Sequence, residues 1–348
     1  MTGTDSIQLE QVIAHKVGNP TRGEEMKTSE NVLTLNDENV VKLLNKYFLS
    51  SFNEQEQYHF AHISNLEMNE VFSYVAAIFA DTRTFKEQSM NLAKFLYSKS
   101  THVRVKEGEM YVGLFNEVPL NGEYLTAIGI FKSETKETFL KVFPHGKSLE
   151  VGQEEGININ KLDKGCLIYK TNKEEGYVVC IVDHTNKQND TQYWVTDFLQ
   201  VVPYADGYHN TNQALQMCKL FVTNDFAEKF DVGKSEQIEL MNRSLDYFKT
   251  KDHFDIEEFK EEVIHHAEVA ENFMAFKKNY EADKEVEIQD SFDISLSAVK
   301  KQAKAFKNIL KLDKNFHVYI HGRYDMMEKG IDEKTGKKFY KLFFDEES

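Results

Sequence analysis

Hydrophobic positions along the 348-residue chain change period several times, and the changes divide it into elements. The opening "SIQLEQVIAHKVGN" (6–19) alternates loosely and predicts a strand that stops at Gly18 and Asn19. Over 36–52, Val40, Leu43, Leu44 and Tyr47 recur at helical spacing, with Asn36 placed as an N-cap. Two more helices are predicted over 69–80 and 84–98, the second opened by Thr84 and Glu87 at capping-box spacing. The period then falls to two. "MYVGLFNEVPLNGEYLTAIGIFKSE" (110–134) joins two apolar runs across Asn121 and Gly122, a hairpin signal, and a second strand pair flanks 171–176.

Helical spacing returns over 190–200 and 210–230, and a boundary is placed at 231–233. Beyond it Ser235 and Asp255 stand as N-caps, Asp255 with Glu258 completing a box. Helices follow at about 236–249, 256–283 and 295–307. The tail over 316–344 alternates, turns near Thr335 and Gly336, and alternates again as a short β-meander. The expected fold is α+β: a mostly antiparallel sheet with flanking helices over 1–232, then a helical C-terminal region ending in that meander over 233–348.

Composition supports a folded protein, with 41% apolar and 12% aromatic residues and only four prolines. The start "MTGTDSIQLEQ" lacks the basic and apolar regions of a signal peptide, and no apolar run approaches a membrane span. Cys166, Cys180 and Cys218 have no metal or redox spacing and read as buried thiols of a reducing compartment.

Charge changes the picture most. The chain carries a net −15, yet residues 298–344 hold twelve Lys/Arg against five Asp/Glu, a net of +7. Such asymmetry points to a polyanion-binding end. In the helix near 295–307, Leu296, Val299, Ala303 and Phe306 are placed toward the core. Lys300, Lys304 and Lys307 then share one arc beside that stripe, with Lys301 elsewhere on the helix. Lys311 follows the helix, and Arg323, Lys337, Lys338 and Lys341 decorate the meander. These nine residues are the candidate contacts to a phosphate backbone. The competing arrangement folds the acidic helix of 256–268 over the lysines.

Other chemistry fits poorly. His317 and His321, or His265 and His266 near Glu261 and Glu262, lack the further ligands a metal site needs. Glu134-Thr135-Lys136 matches the E-x-K of restriction-type nucleases, but Glu123 and Asp183 are not compellingly spaced to complete it. Trp194 reads as core rather than as a base-stacking platform. Nucleotide-binding and nucleophile-elbow motifs are missing from the sequence. No enzyme activity, metal or cofactor is expected.

Several stretches in order resemble the 37-kDa nucleoid-associated protein family of bacteria. They are "IAHKVGN", "LNGEYLTAIGIFKSE", "INKLDKGCLIY" and "VDHTNKQNDTQYWVTDFLQ" with Asp183, Tyr193, Trp194 and Phe198, then the C-terminal helix and alternating tail. The resemblance implies a cytoplasmic, nucleoid-localised protein that binds double-stranded DNA with little sequence preference and serves chromosome organisation. A homodimer would raise apparent affinity by avidity. The alternative is an interaction factor that docks onto DNA-handling protein partners and has only incidental DNA affinity.

Overall fold

The computed structural model describes residues 7–52, 56–185, 193–230, 232–303, 306, 309–312, 314–319 and 326–346, with 309–311 as backbone only. The chain forms two compact units, Met1–Tyr204 and Ala205–Ser348. The division falls before the expected 232/233. Ala214, Leu215, Met217, Cys218 and Phe221 share one core with Phe248, Phe254 and Phe273, so 205–230 belongs with the second unit.

The first unit runs β1 (Gln8–Val17), α1 (Glu38–Leu49), β2 (Gln57–Phe60), α2 (Glu70–Ala80), α3 (Phe85–Lys99), β3 (Gly108–Leu120), β4 (Glu123–Ser133), β5 (Glu137–His145), β6 (Ser148–Gly156), β7 (Lys164–Tyr169), β8 (Val178–Asp183) and β9 (Val201–Pro203). Seven strands make one sheet in the order β1-β3-β4-β7-β8-β2-β9, with every described pairing antiparallel. At the predicted β3–β4 hairpin, Leu120 pairs with Glu123. Asn121 and Gly122 both take positive φ, 50° and 88°, which lets the turn follow the strands' twist.

Both sheet faces are buried. Ile13, Val112, Ile128, Ile130 and Ile168 pack with Val75, Ile78, Leu92, Leu96, Trp194 and Phe198 from α2, α3 and a π-helical turn at Tyr193–Leu199. On the other face Val12, Phe115, Phe131 and Leu167 meet Phe48 and Leu49 of α1. Phe48 stacks on Phe131 with ring centroids 4.3 Å apart. A Cβ at Gly129 would lie 2.4 Å from the Phe131 ring, so glycine makes that stack possible.

Local details depart from expectation. Asp37, not Asn36, caps α1 by accepting from the Asn39 N–H. The helix buries its last turn, Tyr47 to Leu49, leaving Val40 and Leu43 exposed. The box at Thr84 stays open because its hydroxyl donates to the Asp81 carbonyl at 2.8 Å, inside a preceding 3-10 turn. β5 and β6 form an unpredicted two-stranded sheet of their own.

In the second unit, α4 (Gly207–Leu220) runs through a π turn at Phe221–Asp225 into α5 (Phe226–Lys229). Next come α6 (Lys234–Thr250), β10 (His253–Asp255), α7 (Ile256–Phe259), α8 (Ala267–Lys284), β11 (Ser291–Asp293) and α9 (Leu296–Ala303). The core is aromatic, with Phe254 stacked between Phe248 and Phe292 at 5.3 and 4.7 Å. Gly233 is the N-cap of α6, so Ser235 lies inside the helix, where its hydroxyl donates to Glu236. Asp255 caps α7 as predicted, accepting from the N–H groups of Glu257 and Glu258. The Glu258 carboxylate is taken by the Tyr247 hydroxyl and Lys251, which leaves that box open. The helix expected over 256–283 breaks at His265, whose φ is 65°.

Short terminal strands follow: β12 (Ile309–Leu312) pairs with β13 (Phe316–Tyr319), and β14 (Met327–Ile331) with β15 (Lys338–Leu342). The α+β architecture with a helical C-terminal region is as expected. Among the described residues its tail forms two separate two-stranded sheets. No helix of the described residues is long and apolar enough to cross a membrane.

Candidate nucleic-acid interface

α9 sets the first group of cations. Ala298 and Val299 enter the second unit's core, as does Phe306 beyond the helix. Leu296, placed inward by its spacing, is 53% exposed. It opens the helix, one turn before the buried stripe. Lys300 and Lys301 are exposed on the opposite side. Lys301 Nζ lies 5.7 Å from the centre of the Tyr208 ring, a contact that steadies the chain and leaves its charge available. Lys311 sits on β12 opposite His317. Lys304, Lys307, Arg323 and His321 lie outside the described residues.

The β14–β15 hairpin sets the second group. Asp332 Oδ1 accepts from the N–H groups of Lys334 and Thr335 at 2.9 and 2.8 Å, and Gly336 closes the turn at φ 66°. The Thr335 hydrogen bonds, then that of Lys334, hold the Asp332 carboxyl below its ordinary range. Lys337 and Lys338 are exposed, and Lys338 stands opposite Ile331. Among the described members Lys341 is the one drawn into an internal pair, 3.3 Å from Glu328, with its ammonium 4.9 Å from the Phe343 ring centre. An exposed pair of this kind contributes little and exchanges readily for a phosphate.

Exposed Lys314 and Lys334 lie in the same basic stretch of sequence and stand outside the nine candidates. The local excess of lysine was the signal for both. Three of the four acids of 257–262 engage other lysines: Lys251 lies 2.8 and 3.0 Å from Glu258 and Glu262, and Lys260 lies 2.6 Å from Glu257. Among the described residues Lys300, Lys301, Lys337 and Lys338 have no carboxylate within ion-pair distance.

A second charged group lies inside the first unit. Antiparallel register places Lys132, Lys164 and Asp183 side by side on β4, β7 and β8, on the face that also holds Ile130 and Cys166. Lys132 is fully buried, donating to the Lys106 carbonyl at 2.8 Å and to Glu134 at 2.9 Å. Lys164 donates to Asp183 at 2.8 Å and to the Thr185 hydroxyl. The Tyr193 hydroxyl donates to Glu134 at 3.0 Å, and its ring centre lies 5.8 and 5.4 Å from the two ammonium groups. Asp163 accepts from the N–H groups of Glu134 and Thr135 at 2.6 and 2.7 Å. Burial lowers the pKa of Lys132, opposed by Glu134, and raises that of Tyr193 further with Glu134's help.

This cluster absorbs the residues of the nuclease-like motif. Glu134 and Asp183 neutralise buried lysines, Lys136 pairs with Glu109 at 2.7 Å, and Glu123 stands at the opposite end of β4. Among the described residues no group of three His, Cys, Asp or Glu side chains is placed to hold a metal. Trp194 is fully buried against Phe198, so it has no face for a base. The three cysteines are free and buried.

Together these features define a two-unit α+β protein: an antiparallel sheet with internally paired charges, and a helical unit with exposed lysines on α9 and the β14–β15 hairpin. A family model described as nucleoid-associated protein YejK matches residues 13–335, and the chain belongs to that family. No curated protein matches it.

Proposed function

We propose that the protein binds double-stranded DNA in the bacterial nucleoid through phosphate contacts, with little sequence preference. Its contacts are drawn from Lys300, Lys301, Lys304, Lys307, Lys311, Arg323, Lys337, Lys338 and Lys341. The observation that carries this reading is the set of exposed lysines on α9 and the β14–β15 hairpin that have no carboxylate partner among the described residues. Family membership supports it.

An ammonium group close to a duplex displaces condensed counterions, and the gain comes mainly from their release. Lysine acts as a point charge without the planar fork that reads guanine edges, so such contacts position the protein and do not select sequence. The protein acts here as a binder, with no chemical step assigned to it. Affinity at physiological salt is expected in the micromolar range or weaker.

The test is a mobility-shift titration of full-length protein on unrelated duplexes, beside a variant with Lys300, Lys301, Lys337 and Lys338 all changed to Ala. Similar affinity across sequences and loss of retention in the variant are expected. Undiminished retention by the variant would place the DNA surface elsewhere.

A further inference from the structure

The β5–β6 hairpin makes its own side-chain contacts on one face and exposes aliphatic side chains on the other. Pairing runs from Glu137 opposite Gly156 to His145 opposite Ser148, so alternate residues divide cleanly between the faces. On the first face the rings of Phe143 and Phe139 lie across Gly152 and Gly156, where a Cβ would meet ring carbons at 3.2 Å. Lys141 pairs with Glu154 at 2.6 Å on that same face. Glu137 fixes the base through Lys161 and Asn158.

The second face carries Leu140, Val142, Pro144, Leu149 and Val151, the four aliphatic side chains being 78%, 60%, 71% and 65% exposed. None of them belongs to any of the protein's three hydrophobic cores. A lone two-stranded ribbon is marginal in water, and a contiguous aliphatic face of this kind marks an interaction surface.

We propose that this face binds the same face of a second copy of the chain, forming a symmetric dimer through a four-stranded sandwich of two hairpins. The chemistry of the face selects this occupant. Its five apolar residues, Leu140, Val142, Pro144, Leu149 and Val151, are contiguous, and its one charge, Glu155 opposite Thr138, sits at the base of the hairpin beyond Gln153, so the aliphatic part offers nothing to a phosphate backbone. Lys141, His145, Glu150 and Glu154 all lie on the opposite face, so a two-fold stack sets no like charges against each other there. For a chain of net −15, a face with a single charge at its margin is where self-association meets least repulsion.

The area agrees. Roughly 100 Å² left open on each of five side chains gives on the order of 500 Å² per copy and ~1,000 Å² in the pair, the lower end of specific interfaces. Two stacked hairpins also reach the strand number a ribbon needs for stability, with sheets about 10 Å apart. The resulting dimer is concentration-dependent and independent of the DNA-binding lysines.

Sedimentation of the full-length protein at ~1–100 µM tests this, a range set by the small interface. Dimer is expected to grow across the range, and L140K/V151K to weaken it at least ~10-fold while keeping the parent's melting curve and duplex binding. A second measurement guards against misfolding. Val142→Cys, near the two-fold axis, is expected to give a covalent dimer under mild copper oxidation, whereas Lys141→Cys on the other face is not. Because Cys166, Cys180 and Cys218 are buried, the background is low. A wild-type monomer throughout the range, unchanged dimerisation of L140K/V151K, or trapping at Lys141→Cys but not Val142→Cys would each overturn the proposal.

Discussion

Lys132 and Lys164 in the sheet unit, and Lys300, Lys337 and Lys338 in the C-terminal unit, are the same side chain in opposite circumstances. The first two are buried, each with a carboxylate and a further oxygen within 3 Å, and both flank the Tyr193 ring. The others are exposed without an acidic partner among the described residues. Burying a charge is tolerable only when its partners are in place, so the first pair is committed to the fold. An exposed, unpartnered ammonium gives up only water and mobile ions on meeting a phosphate. Lysine count alone therefore says little about function; the nearest carboxylate decides.

Breaking the buried side of the comparison has the largest effect. Glu134→Ala strands the Lys132 ammonium and is expected to destabilise the first unit by about 3–5 kcal/mol, lowering its melting temperature by roughly 10 °C in calorimetry. The double variant K132M/E134L removes both charges and is expected to recover most of that loss. Duplex affinity at a temperature where each variant is folded should match wild type.

Acid probes the same unit by another route. His15 is buried, with Nδ1 accepting from the Ser29 N–H at 3.1 Å and Nε2 lying 3.2 Å from the Ser89 hydroxyl, and burial lowers its pKa to about 4. Above pH ~6.5 the ring is neutral in both folded and unfolded chains and adds no pH dependence. Between ~6.5 and ~4 the unfolded chain binds the extra proton, so stability falls with pH by up to about 3 kcal/mol. Denaturant titrations from pH 7 to 4.5 check this, and His15→Gln should flatten the part of the slope due to this ring.

Smaller effects belong to the second unit. Asp255→Ala removes the α7 cap and is expected to lose ~1 kcal/mol in a denaturant melt. Lys337→Ala and Lys338→Ala should each stay within ~0.5 kcal/mol of wild type, because those side chains touch little that folding needs.

Much of the sheet was legible because its strands follow simple rules. Asn121-Gly122 could only be a tight turn between apolar runs, and Cys166 to Asp183 alternated around another turn. The β5–β6 hairpin escaped because "TFLKVFP" is apolar on both faces, which erases the alternation that betrays a half-buried strand. β10 and β11, three residues each, are too short for any period to register. The buried row depended on register, which sets Lys132 beside Lys164 and Lys164 beside Asp183 over 51 residues of chain. One hint was available: Ile128, Ile130 and Lys132 share a face of β4, so its inward side ends on a cation. The basic end was plain in composition, whereas the choice of Lys251 and Lys260 as partners for Glu257, Glu258 and Glu262 needed coordinates.

The most direct test of the open-lysine account is the salt dependence of duplex affinity, measured for the full-length protein and for K300A/K337A/K338A. The account predicts a log–log slope of about −4 to −5 for wild type, made shallower by about 0.9 for each lost contact and so by roughly 2–3 in the variant. An unchanged slope with unchanged affinity would contradict it.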